Sequence, residues 1–326
     1  MSQIHKRFGF LLKGESPENV YFSLVYRPEA QNEWPAETLI VDYDLPRLCK
    51  IQTDRWQCAE LEDLVGPYKR ILIQVAQFDS LQQVKRDVYA ASRILSPDGE
   101  LRVTVPPKSG AKRITSDLHE VFRTVEVMKS VGRSLLICRE PAPQPFPEET
   151  AQLEYRDPIS ERTLKFLVRP GIFSSEKIDT GTAVLLSNVP PVAGKKVFDV
   201  GCGYGVIGIT AAARGAEVTL LDVDARVVKL AERNLKLNGF TGTVLLYLQP
   251  YRFNDNSFDV VLSNPPTHAG SSTLRELFSE MVRVSSSYVA IVIREHLKYE
   301  KWLVELGSVH RLATAEGFKV LQISKT

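Results

Sequence analysis

Residues 195–215 read KKVFDVGCGYGVIGITAAARG, and the fold is decided there. Val197, Phe198 and Val200 have the composition of a buried parallel strand. They run straight into Gly201, Gly203 and Gly205, after which Val206, Ile207, Ile209 and Ala212 recur at helical spacing. Strand, glycine turn and helix make a site for a nucleotide-type ligand: glycine lets the backbone come close, and the first amides of the helix face the space over the turn. Asp199 narrows the ligand class. A carboxylate at the strand end repels a pyrophosphate but accepts hydrogen bonds from an ammonium group, which favours a positively charged cofactor over a dinucleotide.

Downstream, residues 218–221 read as the second strand and end in Asp222, placed to accept both hydroxyls of a ribose. Residues 225–237 read as a helix with Asp224 as its cap, Val227, Val228, Ala231 and Leu235 on its apolar face, and Gly239 after its end. Residues 258–262, FDVVL, form a further buried strand that leads into Ser263, Asn264, Pro265 and Pro266. Two successive prolines fix φ and remove two amide donors, so the turn presents carbonyls. The side-chain oxygen of Asn264 and the carbonyl of Pro265 can together accept both hydrogens of one planar NH2 group.

The glycine turn, the Asp222 position and the SNPP sequence resemble the class I S-adenosylmethionine methyltransferases that act on amines. With Phe173, Asp179 and Gly181 in FSSEKIDTGTAVLL, and with NPPTHAG downstream, the chain resembles more closely the bacterial small-subunit ribosomal RNA guanine-N2 methyltransferases. That family pairs a degenerate methyltransferase-like domain with an active C-terminal one. In it an aromatic residue usually follows Asn-Pro-Pro; Thr267 stands there in this chain, with His268 and Gly270 retained and Ala269 where Asp is common.

The resemblance implies an α/β fold of two Rossmann-like domains, the second a seven-stranded, mostly parallel sheet with helices on both faces. It implies S-adenosyl-L-methionine as cofactor, bound by Phe173, Asp179, Gly181, Asp199, Gly201, Gly203, Gly205, Asp222, Gln249 and Asn264, with Gln249 and Tyr251 in the adenine region. Asn264, Pro265, Pro266 and His268 are the catalytic candidates, and ribosomal RNA or a small ribosomal subunit is the expected partner.

The chain has 326 residues, room for two cores, and a net charge of +2, too small to announce a polyanion binder by itself. No run of eighteen apolar residues and no leader pattern occur, and Cys49, Cys58, Cys138 and Cys202 lack zinc or redox spacing. The expectation is a cytoplasmic protein with no metal, no membrane segment and no required protein partner. APQPFP at 142–147 reads as an extended linker, dividing the chain into 1–145 and 146–326.

FGFLL and VYFSLVY near the N-terminus carry no chemical signature. From Glu37 onward the first half alternates strands and helices: ETLIVDYD, RILIQVAQF, a helix at 82–94, a turn at Gly99, a strand at 100–105, and two final strands near 122–128 and 134–138. It has no glycine turn after a strand. RILIQVAQF compares with FDVVLSNPP, and the strand containing Leu101 compares with residues 288–293, so a repeat that has lost its cofactor contacts is expected. The basic stretch PPKSGAKR at 106–113 is a candidate phosphate contact. In the second half a hairpin near 153–167 opens the domain, a helix starts at Thr180, a helix occupies 275–284, and a strand starts at Phe318.

The resulting reading is N-methylation of an exocyclic amine of an RNA base, guanine N2 of ribosomal RNA first. A protein glutamine amide or adenine N6 as target, and a noncatalytic cofactor-binding scaffold, remain alternatives. An NAD oxidoreductase fits Asp199 and SNPP poorly.

Overall fold

A computed structural model of the chain describes residues 19–23, 39–42, 56–75, 80–130, 133–146, 151–247, 250, 253–267 and 270–325. The chain divides into two compact units, Met1–Glu148 and Glu149–Thr326.

The first unit contains β1 (Asn19–Ser23), β2 (Leu39–Asp42), β3 (Trp56–Cys58), β4 (Tyr68–Gln74), α1 (Leu81–Ile94), β5 (Leu95–Val105), α2 (Ala111–Val121), β6 (Phe122–Ser130) and β7 (Arg133–Pro141). Its sheet runs β3-β2-β1-β4-β5-β7-β6. The first five strands are mutually parallel and β7 is antiparallel to both its neighbours. β5 begins before the expected Gly99 turn: Tyr68 faces Leu95 while Arg70 faces Glu100, so residues 96–99 bulge out and the turn sits inside one strand.

The second unit opens with the antiparallel hairpin β8 (Ala151–Arg156) and β9 (Thr163–Val168). Then follow α3 (Thr180–Asn188), β10 (Lys196–Val200), α4 (Val206–Ala213), β11 (Glu217–Asp222), α5 (Ala225–Leu237), β12 (Thr243–Leu246) and β13 (Phe258–Ser263). α6 (Ser271–Val284), β14 (Ser285–Arg294), α7 (Glu300–Leu303), β15 (Ser308–Ala315) and β16 (Phe318–Ser324) complete it. The sheet order is β12-β11-β10-β13-β14-β16-β15, the same permutation as in the first unit, again with one strand antiparallel to its neighbours.

The expected repeat is therefore present in the topology: β4 holds the place of β13, and β5 that of β14. It extends to a detail. Asp42 ends β2 opposite Cys58 and its carbonyl accepts the Ala59 amide; Asp222 ends β11 opposite Leu246 and its carbonyl accepts the Tyr247 amide.

Period-two alternation explains why the second sheet is covered on both faces. Val197, Leu220, Val260, Leu262, Ala290, Val292 and Val320 belong to one apolar core with α3, α4, α5 and β9. Their neighbours Phe198, Leu221, Val261, Val289, Ile291, Ile293 and Leu321 belong to the opposite core with α6. β15 had no such signature, because it is an edge strand without a buried residue. Among the described residues no helix is long and apolar enough to cross a membrane.

One buried ion pair ties the entrance hairpin to the sheet. Arg214, just past α4, forks onto both carboxylate oxygens of Asp157 at 2.6 and 3.0 Å and also donates to the Leu186 carbonyl. Burial alone would raise the Asp157 pKa, but the bonds from Arg214 and Ser160 hold it at about 2. Removing one partner strands the other charge in the interior. Arg214→Ala is expected to lower unfolding free energy by about 3–5 kcal/mol in a denaturant titration at neutral pH.

Candidate active site

The carboxyl ends of β10, β11 and β13 converge on a cleft of about 470 Å³, counting the open space at its mouth. Its floor is the glycine turn. Gly201, Gly203 and Gly205 have φ of +73°, +53° and +99°, a region that L side chains rarely adopt.

The three glycines do different work. A Cβ on Gly201 or Gly203 would meet no protein atom within 4 Å, and both residues line the cleft. A Cβ on Gly205 would meet Ile209 at 2.9 Å, so this glycine permits close packing behind the turn. Gly181 has a similar place: a Cβ there would come within 2.7 Å of the Phe318 ring. Neither Gly205 nor Gly181 lines the cleft.

Asp199 also lies behind the surface rather than on it. It is fully buried, and one oxygen accepts the Gly208 amide at 2.8 Å while the other has no hydrogen-bond partner among the described residues. Expected to meet an ammonium group, it instead braces the first turn of α4. Burial, with the charge of Asp222 nearby, raises its pKa to about 7.

Asp222 is half-buried and accepts the Gly203 amide at 2.8 Å on one oxygen and the Val223 and Asp224 amides on the other. Its first task is thus to hold the glycine turn in shape. Burial raises its pKa to about 6 despite these amides. Cys202 lines the cleft but is buried, and burial together with Asp222 and Asp199 pushes its thiol pKa well up, away from nucleophile chemistry.

The opposite wall comes from the start of α3. Asp179 caps that helix by accepting the Thr182 amide at 2.8 Å. The same carboxylate oxygen accepts the side-chain nitrogen of Asn264 at 2.9 Å, and the Thr182 hydroxyl accepts it at 3.0 Å. Both hydrogens of the Asn264 NH2 are therefore engaged. Its side-chain oxygen meets no donor among the described residues, so the cleft receives an acceptor and not a donor.

β13 is positioned to deliver Asn264: the buried Ser263 hydroxyl donates to the Val200 carbonyl at 2.6 Å, joining the ends of the two central strands. Pro265 is buried and Pro266 exposed. Phe173 lines the cleft and is 70% exposed. Tyr204 anchors the segment after it by donating from its hydroxyl to the Ser174 carbonyl at 3.1 Å.

The cleft thus gathers Phe173, Asp179, Gly201, Gly203 and Asn264 from widely separated sequence positions. Gln249, Tyr251 and His268 lie outside the described residues. Sequence reading missed Thr182 and Ser174. Thr182 had a usable signal, since it sits three residues after an Asp at a helix start, where a cap reaches its amide.

The residues present fit S-adenosylmethionine. Two glycines leave ligand space where side chains would stand, an acidic residue ends the second strand, and an acceptor faces the cleft. Fold and site together define a class I S-adenosylmethionine-dependent methyltransferase.

The methyltransferase small domain family matches residues 163–322. Ribosomal RNA small subunit methyltransferase C of Shewanella pealeana is 31% identical over 245 residues, 71% of this chain and 70% of that relative. The protein of the same name from Pseudomonas entomophila is 31% identical over 198 residues, 56% of this chain but only 58% of the relative. A solved structure of the T. thermophilus 16S rRNA methyltransferase RsmC, in complex with AdoMet and guanosine, is 20% identical, covers 100% of this chain and 92% of that one, and has a TM-score of 0.79. The chain belongs to the ribosomal RNA small subunit methyltransferase C family.

Both carboxyls, Asp199 and Asp222, titrate above the 3.8 of an ordinary aspartate, so the folded state keeps protons that the unfolded chain releases. The stability they contribute is fully present below about pH 4 and is lost as pH rises towards 6 for Asp222 and 7 for Asp199. Asp199→Asn keeps an acceptor for Gly208 and abolishes the ionisation. In differential scanning of the ligand-free protein, this variant is expected to melt roughly 2–4 °C above wild type at neutral pH and to show a flatter fall with rising pH.

Proposed function

We propose that the chain transfers a methyl group from S-adenosylmethionine to an exocyclic amino group of an RNA base, guanine N2 of small-subunit ribosomal RNA, in the cytoplasm. The observation that carries this reading is the orientation of Asn264, whose nitrogen is held by Asp179 and Thr182 while its oxygen faces the cleft. That oxygen, with the Pro265 carbonyl as second acceptor, grips the two hydrogens of a planar amine. The grip turns the nitrogen lone pair away from the base plane and towards the cofactor side of the cleft. No strong base is required at first, because a proton departs to solvent after the carbon–nitrogen bond begins to form.

Gly201 and Gly203 bring backbone against the cofactor, and Asp222 fixes the turn through the Gly203 amide at the strand end where the ribose is expected. Bound there, S-adenosylmethionine supplies an already activated methyl on its sulfonium, so alignment is the main demand on the protein. The first unit has the same strand order but neither a glycine turn nor an Asn-Pro-Pro segment in its sequence. It serves as an RNA-positioning domain.

Labelled methyl transfer to naked ribosomal RNA and to isolated small subunits, with nucleosides identified by mass spectrometry, tests the reading. N2-methylguanosine is expected; another methylated nucleoside, or none, overturns the guanine assignment. Asn264→Ala is expected to lower kcat by roughly 10²–10³-fold, by analogy with loss of one preorganised polar contact, while calorimetry finds cofactor affinity within a few-fold of wild type.

A further inference from the structure

We propose that the stacked column Tyr299–Trp302–Arg275, beside the catalytic turn, is an RNA contact on which a nucleobase adjoining the methylated one stacks. The inference deepens the function proposed above and rests on RNA being the substrate.

Tyr299 and Trp302 are parallel within 14°, with ring centroids 4.8 Å apart. The Arg275 guanidinium lies over the Trp302 ring, 4.6 Å from its centroid. One face of the indole is covered by Tyr299, so the guanidinium takes the other and forms the outermost layer. Both aromatic residues are half-buried and Arg275 is exposed. The column is fixed to the active-site turn, since the Tyr299 hydroxyl donates to the Thr267 carbonyl at 3.4 Å. Thr267 follows Asn264 by three residues, at most about 11 Å of chain. Stacked beyond Tyr299, Trp302 and Arg275 add two further layers of 4.8 and 4.6 Å, which suits a neighbouring nucleotide and not the reacting base itself.

What sets this arginine apart is a stack that reaches the catalytic turn through Tyr299, since Arg162 and Arg294 of the same unit also lie over rings, those of Phe240 and Phe318, with no ion pair among the described residues. Arg214, Arg226, Arg283 and Arg311 of the same unit each pair with a carboxylate. Arg275 has no ion pair among the described residues and spends its plane on an indole. The catalytic turn, for its part, has no aromatic side chain directly after Pro266, where Thr267 stands. A base drawn out of its stack leaves neighbours that need a flat surface, and guanidinium planes and aromatic rings both provide one.

The test reads RNA binding apart from turnover. A short fluorescein-labelled single-stranded RNA of mixed sequence is titrated by anisotropy with S-adenosylhomocysteine present, and methylation of naked small-subunit ribosomal RNA is followed alongside. Arg275→Ala and Arg275→Lys are both expected to weaken RNA binding roughly tenfold, because lysine keeps the charge and loses the plane. Trp302→Ala, which removes the shelf, should match them, and the Arg275→Ala, Trp302→Ala double variant should be no worse than either alone. Melting temperature and S-adenosylhomocysteine affinity should stay at wild-type values for the arginine variants. The salt slope of binding should also stay constant, as no phosphate contact is lost.

Wild-type RNA affinity in either arginine variant overturns the stacking contact; full retention by Arg275→Lys alone identifies a simple phosphate contact instead. A wild-type protein that needs Arg275 for RNA but methylates a base other than guanine supports the contact and overturns the guanine reading. A wild-type protein that methylates guanine with no dependence on Arg275 does the reverse. Failure of the wild type to bind RNA overturns both.

Discussion

An asparagine amide has two faces of opposite chemistry, and this protein settles which one reaches the ligand by occupying the other. The Asp179 carboxylate and the Thr182 hydroxyl hold the Asn264 nitrogen at 2.9 and 3.0 Å. A carboxylate can only accept, so a flipped amide would set oxygen against oxygen. The same Asp179 oxygen caps α3, which means that the helix start and the Asn264 amide share one anchor. Folding of the helix and orientation of the amine acceptor are therefore a single event. On the other side of the cleft Asp222 plays the matching part, taking three backbone amides that would otherwise leave the glycine turn undefined.

The two units show how little of the fold is specific to cofactor binding. Both sheets have the same strand order, and each ends its second strand in an aspartate whose carbonyl receives the next amide from the neighbouring strand. The sequence after β1 holds no glycine run like the one after β10. The strand permutation comes from the crossover rules of parallel sheets and the burial of both faces. The chemistry comes from a few residues at strand ends, which can be lost while the scaffold persists.

Much of this was legible in the sequence, and the gaps have physical causes. Strands buried on both faces announce themselves as apolar runs, so FDVVL and KVFDV were readable, whereas β15 buries no residue and left no pattern. Gly99 read as a turn between elements, but the bulge it belongs to is set by the register between β4 and β5, which depends on a partner strand. Glycines 201, 203 and 205 looked equivalent in the string; only the atoms around them separate those that face ligand space from the one that faces Ile209. Thr182 was missed because its value lies in reaching Asn264, 82 positions away.

Asp199 carries the same lesson into energetics. Its position at the end of the central strand made it a candidate for the site, yet it is wholly buried, with one oxygen lacking a partner among the described residues. An unsatisfied buried carboxylate is costly, and a purely structural brace for the Gly208 amide could be built from a neutral side chain. What an aspartate adds is an ionisable group beneath a turn in which Gly201 and Gly203 line the cleft, a carboxyl half ionised near pH 7. Water penetrates such a site less than the surface, so the field of a carboxylate there is weakly screened and favours a cation above it. On this view the expected preference for a positively charged cofactor does not require the direct contact that the sequence suggested. A cation over the turn would favour the ionised carboxyl and draw the Asp199 pKa down.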